Sequence, residues 1–348
     1  MNWWQKFRRN RLAQLGAILL ILMYLVSIGA GFFAPYSPYD TQINGSLLPP
    51  TTVYWRNQET GQWIGPHVYP TAQGPVELES GNREVTVDFS EPSPIRLFTR
   101  DAQGGFHLFG TSGPGHFNLL GTDEQARDQF SRLLHGSRVS LFVGLIGIAI
   151  SFPIGMLVGG LAGYFGGAVD ATLMRLVEVI MTIPSIYLLV ALAAVLPPGL
   201  SSIQRFMLIV LITSFIGWAG LARVIRGQVL SIKEREFVQA SKVMGGRSLY
   251  IVIRHILPQT ATYGVIAATL AVPGFILAEA VLSFIGLGIQ QPDASWGNML
   301  SLATNASILV LQPWLVWPPA LLIVVTSLAF NLLGDGLRDA LDPRTLKQ

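Results

Sequence analysis

The sequence contains no cysteine, and only 12% of its 348 residues are charged. The absence of cysteine excludes disulfides, thiolate metal sites and cysteine nucleophiles. The charged share is about half that of an average soluble domain, and the hydrophobic share of 51% indicates that much of the surface faces something other than water. A net charge of +3 is too small to suggest a nucleic-acid partner.

Sequence motifs of catalysis are also missing. No G-x-x-x-x-G-K-[ST] sequence is present, so the chain has no P-loop for ATP, and neither HExxH nor GxSxG occurs. His67, His107 and His116 stand in different segments without the spacing of metal ligands. We expect them to be solvated surface residues rather than a metal site, and an intramembrane enzyme is disfavoured.

Long apolar runs dominate the rest of the chain. Six of them are interpreted as membrane spans, at about residues 12–34, 139–164, 168–196, 206–221, 259–284 and 315–333. Pro184 should kink the third. The basic start, with Arg8, Arg9 and Arg11, places the N-terminus in the cytoplasm, and the two short outer connections hold only Arg205. Both termini are therefore predicted to be cytoplasmic.

The predicted architecture is an all-α polytopic membrane protein with six transmembrane helices and a small β-rich extracytoplasmic domain between spans 1 and 2. Residues 1–34 form the cytoplasmic N-terminus and the first span. Residues 35–137 form the outer domain, which ends in an amphipathic helix. Residues 138–334 form a five-helix core with a cytoplasmic loop at 231–258, and residues 335–348 form a cytoplasmic tail.

Three pairs of alternating runs in the outer segment flank turn-forming residues, which predicts β-hairpins. The pairs are TVYW with QWIG, VELE with EVTVDF, and IRLF with FHLF. Such a domain could be a docking platform or an elaborated loop.

Small residues recur every fourth position in the second span. They are Gly147, Ser151, Gly155, Gly159, Gly163 and Gly167. Because apolar side chains gain little by meeting one another in lipid, such a stripe predicts a close contact with another helix. Arg175 and Glu178 stand three residues apart in the third span, where they either pair with each other or line a path. Glu279 is predicted to lie near the outer interface.

The polar loop between spans 4 and 5 predicts a short helix. Ser231 and Glu234 form a capping-box pattern, Gly245 can close a helix in the left-handed conformation, and a second helix restarts at Ser248. One face of the short helix is apolar, with Phe237, Ala240, Val243 and Met244. An alternative is a helix lying flat on the lipid headgroups.

The spacing of this loop resembles the E-A-A loop of the permease subunits of bacterial ATP-binding-cassette importers. Ala240, Gly245, Leu257 and Pro258 match that pattern, while Gln239, Ser241 and His255 depart from it. In the family the loop is a coupling helix that sits in a groove of the cytoplasmic ATPase. The resemblance therefore implies ATPase contacts for Glu236, Phe237, Gln239, Ala240, Ser241, Met244, Gly245, Leu257 and Pro258.

A second and longer resemblance precedes span 2. The segment from Leu119 to Leu141 is similar to a signature of oligopeptide, dipeptide and nickel importer permeases, and it includes Gly121, Thr122, Asp123, Arg127, Asp128, Ser131 and Arg132. From the residues alone, Thr122 or Asp123 is predicted to cap the amphipathic helix. Asp123, Arg127 and Asp128 are expected to form a helix-end salt-bridge cluster rather than a catalytic carboxylate pair. The segment Ala278–Gly288 also matches a family pattern.

These resemblances imply a type I importer permease, similar to the C-type permease of oligopeptide or dipeptide systems, in the bacterial cytoplasmic (inner) membrane. The implied partners are a homologous second permease subunit, two cytoplasmic ATP-binding subunits, an extracytoplasmic substrate-binding protein and membrane lipid. No cofactor is expected on this chain, since ATP and Mg would be bound by the ATPases. The alternative is a secondary transporter or channel driven by an ion gradient, which needs ion sites near the midplane.

Overall fold

The computed structural model describes residues 3–76, 83–100, 104–197 and 199–341. These residues divide into two compact units. Unit 1 comprises Phe142–Leu282 together with the chain before Leu22 and from Val325 onward, and unit 2 comprises Leu22–Leu141 and Ser283–Val324. Each unit is described by itself below.

Helices make up most of the described chain. In order they are α1 (Trp3–Phe7), α2 (Arg11–Ile28), α3 (Ala30–Phe33), α4 (Gln129–Phe165), α5 (Gly167–Thr182), α6 (Ser185–Ala194), α7 (Ser202–Ile232), α8 (Glu236–Val243), α9 (Ser248–Ile251), α10 (Leu257–Phe284), α11 (Trp296–Leu300), α12 (Ala306–Leu311) and α13 (Pro313–Leu341). A π-helical turn, Val252–Ile256, joins α9 to α10, and a 3-10 turn, Ser301–Thr304, follows α11.

Five helices of the described residues are long and apolar enough to cross a membrane: α2, α4, α7, α9 continued through α10, and α13. The third predicted span is a broken pair instead of one helix, because α5 and α6 meet at a bend of 84°. Pro184 explains the break. Its ring disfavours the helical conformation of the preceding residue, and Ile183 is extended with ψ at 124°.

Helix α13 continues to Leu341, so residues 335–341 are helical where the sequence predicts the start of a tail. Two glycines in GDGLRDAL weaken helix propensity, yet packing within unit 1 overrides it. Ala340 is buried in a cluster with Phe7 and Ala13. An added Cβ at Gly336 would collide with the side chain of Ala13, which shows how closely α2 and α13 approach each other at these residues.

The strands of unit 2 are β1 (Tyr54–Arg56), β2 (Trp63–Val68), β3 (Thr71–Val76), β4 (Arg83–Val87), β5 (Ser93–Arg100) and β6 (Phe106–Thr111). Antiparallel pairs form between β1 and β2, β3 and β4, and β5 and β6. The first and last of these pairs correspond to two of the three predicted hairpins, whereas β3 lies almost entirely before the predicted run VELE. Among the described residues the strand order β1-β2-β5-β6 forms one sheet and β3-β4 another. Most of the predicted run VELE lies outside the described residues.

Two of the histidines expected on the surface are buried, so that prediction is wrong for them. His67 contacts the carbonyl oxygen of Gly65 at 2.7 Å and the hydroxyl of Tyr69 at 3.2 Å. His107 contacts the carbonyl oxygen of Ala34 at 2.6 Å. Both rings satisfy backbone groups inside a small aromatic core, a role that their position in the sequence does not reveal. His116 is exposed.

Candidate functional site

The short helix in the loop between α7 and α10 is α8, which has eight residues. It begins after Arg235, whose backbone is extended, and no side chain caps its first turn. The capping box predicted at Ser231 is wrong, because α7 continues to Ile232 and includes Ser231 in its last turn. Buried apolar residues continue at helical spacing through Ile225, Val229 and Ile232, so α7 extends beyond Ser231 and no helix begins there.

The far end of α8 closes as the sequence predicts. Gly245 is left-handed with φ at +82°, and the amide of Gly246 donates to the carbonyl oxygen of Ser241 at 2.9 Å. This is the hydrogen bond of a Schellman motif, which satisfies carbonyls left over at a helix end. A second helix, α9, restarts at Ser248.

One face of α8 is fastened to the rest of unit 1. Val238 is fully buried in a cluster with Val229 and Ile232 of α7 and with Ile251 and Leu257 beyond the loop. The side-chain amide of Gln239 donates to the carbonyl oxygen of Lys233 at 3.0 Å. The ammonium group of Lys242 lies 5.1 Å from the ring centroid of Tyr164 on α4.

The opposite face of α8 is apolar and exposed. Phe237 is 40% exposed, Val243 87% and Met244 83%, and Ala240 between them is exposed as well. Apolar side chains at such a density on a polar loop usually mark a surface that meets another molecule. The residues for which the family resemblance implies ATPase contacts therefore differ in exposure. Ser241 and Leu257 are buried, whereas Glu236 and Pro258 are exposed.

The buried cluster around Val238, which holds α8 in place, includes residues of the long helices α7 and α10. Leu257 packs on α4, where an added Cβ at Gly160 would come within 2.8 Å of its side chain. Pro258 follows the π-helical turn Val252–Ile256, which adjusts the backbone just before a residue without an amide hydrogen. A displacement of α8 would thus act on α7, α4 and α10 through one continuous core.

Gly155, Gly159 and Gly163 of the α4 stripe pack against α7, whereas Gly147 faces the ring of Phe275 on α10. Added Cβ atoms would lie 2.9 Å from the carbonyl oxygen of Trp218 at Gly155 and 2.8 Å from the Cβ of Val229 at Gly163. At Gly159 the added atom would overlap the carbonyl oxygen of Ala222. Gly167 departs from the predicted stripe, since it lies in α5 with open space around it within the described residues.

Charged residues on α5 form two different contacts. Arg175 and Glu178 form an exposed ion pair at 3.1 Å. Asp170, which the sequence did not single out, accepts two hydrogen bonds of 2.5 Å from the guanidinium of Arg226 on α7. Fifty-six residues separate this pair in the chain, so no local pattern could have identified it. Glu279 is buried in α10.

The signature segment in unit 2 forms a buried ionic cluster. The carboxylate of Asp123 accepts from the guanidinium of Arg127 at 2.6 Å and from the Nε of Arg132 at 3.2 Å. Both arginines also donate to the side-chain oxygen of Gln291 and to the carbonyl oxygen of Pro292. The cluster thus joins the loop before α4 to the loop after α10.

Helix α4 begins at Gln129, later than predicted, and Asp128 caps it. The Asp128 carboxylate accepts from the amide of Ser131 at 2.7 Å, which is the N-cap geometry. Thr122 instead bonds to Leu48 and Gly45, and Asp123 is occupied by the arginines, so neither caps the helix. Burial raises the pKa of Asp128 to about 7, and its Oδ1 atom has no hydrogen-bond partner among the described residues.

Gly121 permits the close approach that this loop requires. Its φ is +68°, and an added Cβ would collide with the carbonyl oxygen of Leu48. Ser131 accepts a hydrogen bond from the amide of Tyr36 at 3.3 Å. The signature residues thus bond to one another and to neighbouring loops at the start of α4.

Comparisons with known proteins place this geometry in a family. Residues 152–347 match the model described as "Binding-protein-dependent transport system inner membrane component", and residues 2–50 match the "N-terminal TM domain of oligopeptide transport permease C". The first match contains α7, α8 and α10 and covers more than half of the chain. The chain belongs to this family. It is a membrane permease subunit of an importer of the ATP-binding-cassette type, in which ATP is hydrolysed by other subunits.

Individual relatives agree with the family match. The dipeptide transport system permease protein DppC of Bacillus subtilis (strain 168) is 34% identical over 341 residues, which is 98% of this chain and 84% of the relative. The oligopeptide transport system permease protein OppC of Haemophilus influenzae is 41% identical over 228 residues, which is 66% of this chain and 71% of the relative. The OppC protein of Bacillus subtilis is 31% identical over 98% of this chain and 88% of the relative.

Proposed function

We propose that this permease imports peptides and that α8 is the coupling helix through which partner ATPases drive it. The exposed apolar face of α8, held from behind by Val238, is the observation that carries the proposal. A helix of eight residues is marginal by itself, so its rigidity comes from this anchor. Its outward face then offers Phe237, Ala240 and Met244 to a groove on the ATPase.

Peptide substrates are proposed because relatives that cover nearly the whole chain are named dipeptide and oligopeptide permeases. The implied assembly has a homologous second permease, two cytoplasmic ATP-binding subunits that carry ATP and Mg, and an extracytoplasmic substrate-binding protein. Closure of the ATPases would move α8, and the shared core would tilt α4, α7 and α10 to open the path in alternation.

The proposed topology has six crossings, with α5 and α6 together forming the third. In this topology the basic loop residues 223–254 and the two basic termini are cytoplasmic, which the positive-inside rule favours, and residues 35–137 lie on the opposite side of a bacterial inner membrane. The β-rich domain is then extracytoplasmic. The Asp170–Arg226 pair lies on α5 and α7, so it is a proposed structural tie between two crossing segments rather than part of the substrate path.

Copurification and transport measurements test the proposal together. The full chain, tagged and extracted in mild detergent, should carry ATPase chains and a second permease, and the membranes should take up labelled dipeptides when ATP is supplied. Uptake that follows an imposed ion gradient in the absence of ATPase chains would instead support the secondary transporter. A complex with ATPases that takes up nickel and no peptide would retain the coupling proposal and reject the substrate.

A further inference from the structure

Exposed aromatic and aliphatic side chains gather on the β5–β6 hairpin of unit 2. Leu97 is 69% exposed, Phe98 59% and Phe106 49%. The rings of Phe98 and Phe106 are stacked, with centroids 6.0 Å apart. A patch of this kind on a soluble surface would be costly in water and normally faces another molecule.

The hairpin is fixed to the end of the first span. The ring of Phe32 in α3 lies 5.7 Å from that of Phe106 and 6.5 Å from that of Phe98. His107, next to Phe106, contacts the carbonyl oxygen of Ala34 at 2.6 Å. The patch is therefore held at one position relative to α3, only a few residues beyond α2.

The end of α2 shows what covers this region. Leu22, Leu25 and Ile28 are 53, 58 and 63% exposed on a helix that is long and apolar enough to cross a membrane. In a bilayer, apolar side chains exposed on such a helix meet the acyl chains of the lipids. Phe32 follows Ile28 by one helical turn, so the aromatic patch continues a lipid-facing surface beyond the last turn of the span.

The composition of the hairpin suits the boundary between headgroups and acyl chains. Arg96 and Arg100 are exposed on the same strand as Leu97 and Phe98. Aromatic rings with neighbouring arginines are typical of interfacial segments, because the rings enter the acyl boundary while the guanidinium groups meet lipid phosphates. Phe98 also has a φ of +57°, which is rare for a bulky residue, and its side chain and that of Leu97 are both exposed.

The geometry points to the β5–β6 hairpin as a membrane anchor, with Leu97, Phe98, Phe106 and Phe32 inserted among the phospholipids beside the first span. The inserted segment is then a lipid-supported structure rather than a free platform. This inference goes beyond the transport function and depends on neither the substrate nor the ATPase contact, so its test and the transport test fail independently.

The cysteine-free chain allows a direct measurement of depth. Leu97→Cys carries a bimane fluorophore, and Ile43→Cys, at an aliphatic residue of unit 2 that is 91% exposed, is the matched control. Each full-length variant is reconstituted in vesicles of phosphatidylethanolamine and phosphatidylglycerol, with or without phosphatidylcholine bearing a nitroxide near the carbonyl end of its acyl chain. Iodide in the buffer quenches fluorophores in water, and the nitroxide quenches those among lipids.

We expect bimane at residue 97 to be quenched strongly by the nitroxide lipid and several-fold less by iodide than bimane at residue 43. Equal quenching by iodide at the two positions would overturn the anchor, since the hairpin would then be in water. Shielding from iodide without nitroxide quenching would also overturn it and would identify a protein contact. Phe106→Cys repeats the measurement on the facing strand if Leu97→Cys does not reconstitute.

Discussion

The contact between α4 and α7 predicts a specific cost for one added methyl group at Gly159. In Gly159→Ala the new Cβ would overlap the carbonyl oxygen of Ala222 and lie 2.9 Å from the Cβ of Ile225. Ordinary carbon contacts begin at about 3.5 Å, so the helices must separate by at least roughly half an ångström. Backbone atoms on a packed helix cannot rotate away, and overpacking of this kind costs about 1–3 kcal/mol.

A matched control removes the effect of helix propensity. Gly227 lies in α7, is exposed, and an added Cβ there meets no atom of the described residues within 4 Å. Alanine is more favourable than glycine within a helix by about 1 kcal/mol at either position. The difference between Gly159→Ala and Gly227→Ala therefore isolates the overpacking.

The assay is thermal unfolding of the purified full chain in one detergent, followed by circular dichroism. Gly159→Ala should melt about 1–4 °C below Gly227→Ala, because an unfolding entropy of about 2.1 cal/mol/K per residue makes 1 kcal/mol worth roughly 1.4 °C in a chain of 348 residues. Gly159→Leu should lower the yield of folded protein further. Equal melting temperatures for the two alanine variants would refute the close helix contact.

Three further predictions concern Asp128, the Asp170–Arg226 pair and the topology. The folded-state pKa of Asp128 is raised to about 7 from 3.8, so its contribution to stability is fully present below the lower value and is lost as the pH rises through the higher one. The melting temperature of Asp128→Asn should therefore rise relative to that of the wild type as the pH rises from about 4 to about 7, since asparagine still caps the helix; a difference that does not vary with pH would contradict this. Asp170→Asn and Arg226→Gln should be non-additive by about 1 kcal/mol in a double-mutant cycle of unfolding, and additive effects would show that the bidentate pair is not stabilising. Thr60→Cys should react with a membrane-impermeant thiol reagent in intact cells, and protection until lysis would place residues 35–137 in the cytoplasm.

Local signals in the sequence predicted much of this fold. Pro184 breaks the third apolar stretch, Gly245 ends α8, and two of the three pairs of alternating runs form β-hairpins. Each of these features depends on the conformational limits of a few neighbouring residues, which is why the sequence reveals them.

Helix starts were predicted less well, because a capping residue is recognised only when the helix does begin there. Ser231 remains inside α7, and Asp123 is drawn into an ion cluster with Arg127 and Arg132 while Asp128 caps α4. Tertiary contacts decide between such candidates.

Residues joined only by the fold were missed. Gln291 meets the arginines of the signature cluster from the loop after α10, and Arg226 meets Asp170 from another helix. The sequence contains 23 basic and 20 acidic residues. Which of them form ion pairs depends on contacts between distant segments, and a single sequence does not reveal those contacts.

The central claim is that the exposed face of α8 binds the ATPase, and Ala240→Glu tests it most directly. A carboxylate buried without a partner costs about 3–5 kcal/mol, enough to weaken binding by a hundredfold or more. The same charge at exposed Ser231, in Ser231→Glu, is the control. Copurification of ATPase with each tagged permease variant from membranes is the measurement. We expect Ala240→Glu to reach the membrane in normal amounts and lose the ATPase, while Ser231→Glu keeps it. Wild-type amounts of bound ATPase with Ala240→Glu would contradict the account and leave α8 as an interfacial helix on the lipid headgroups.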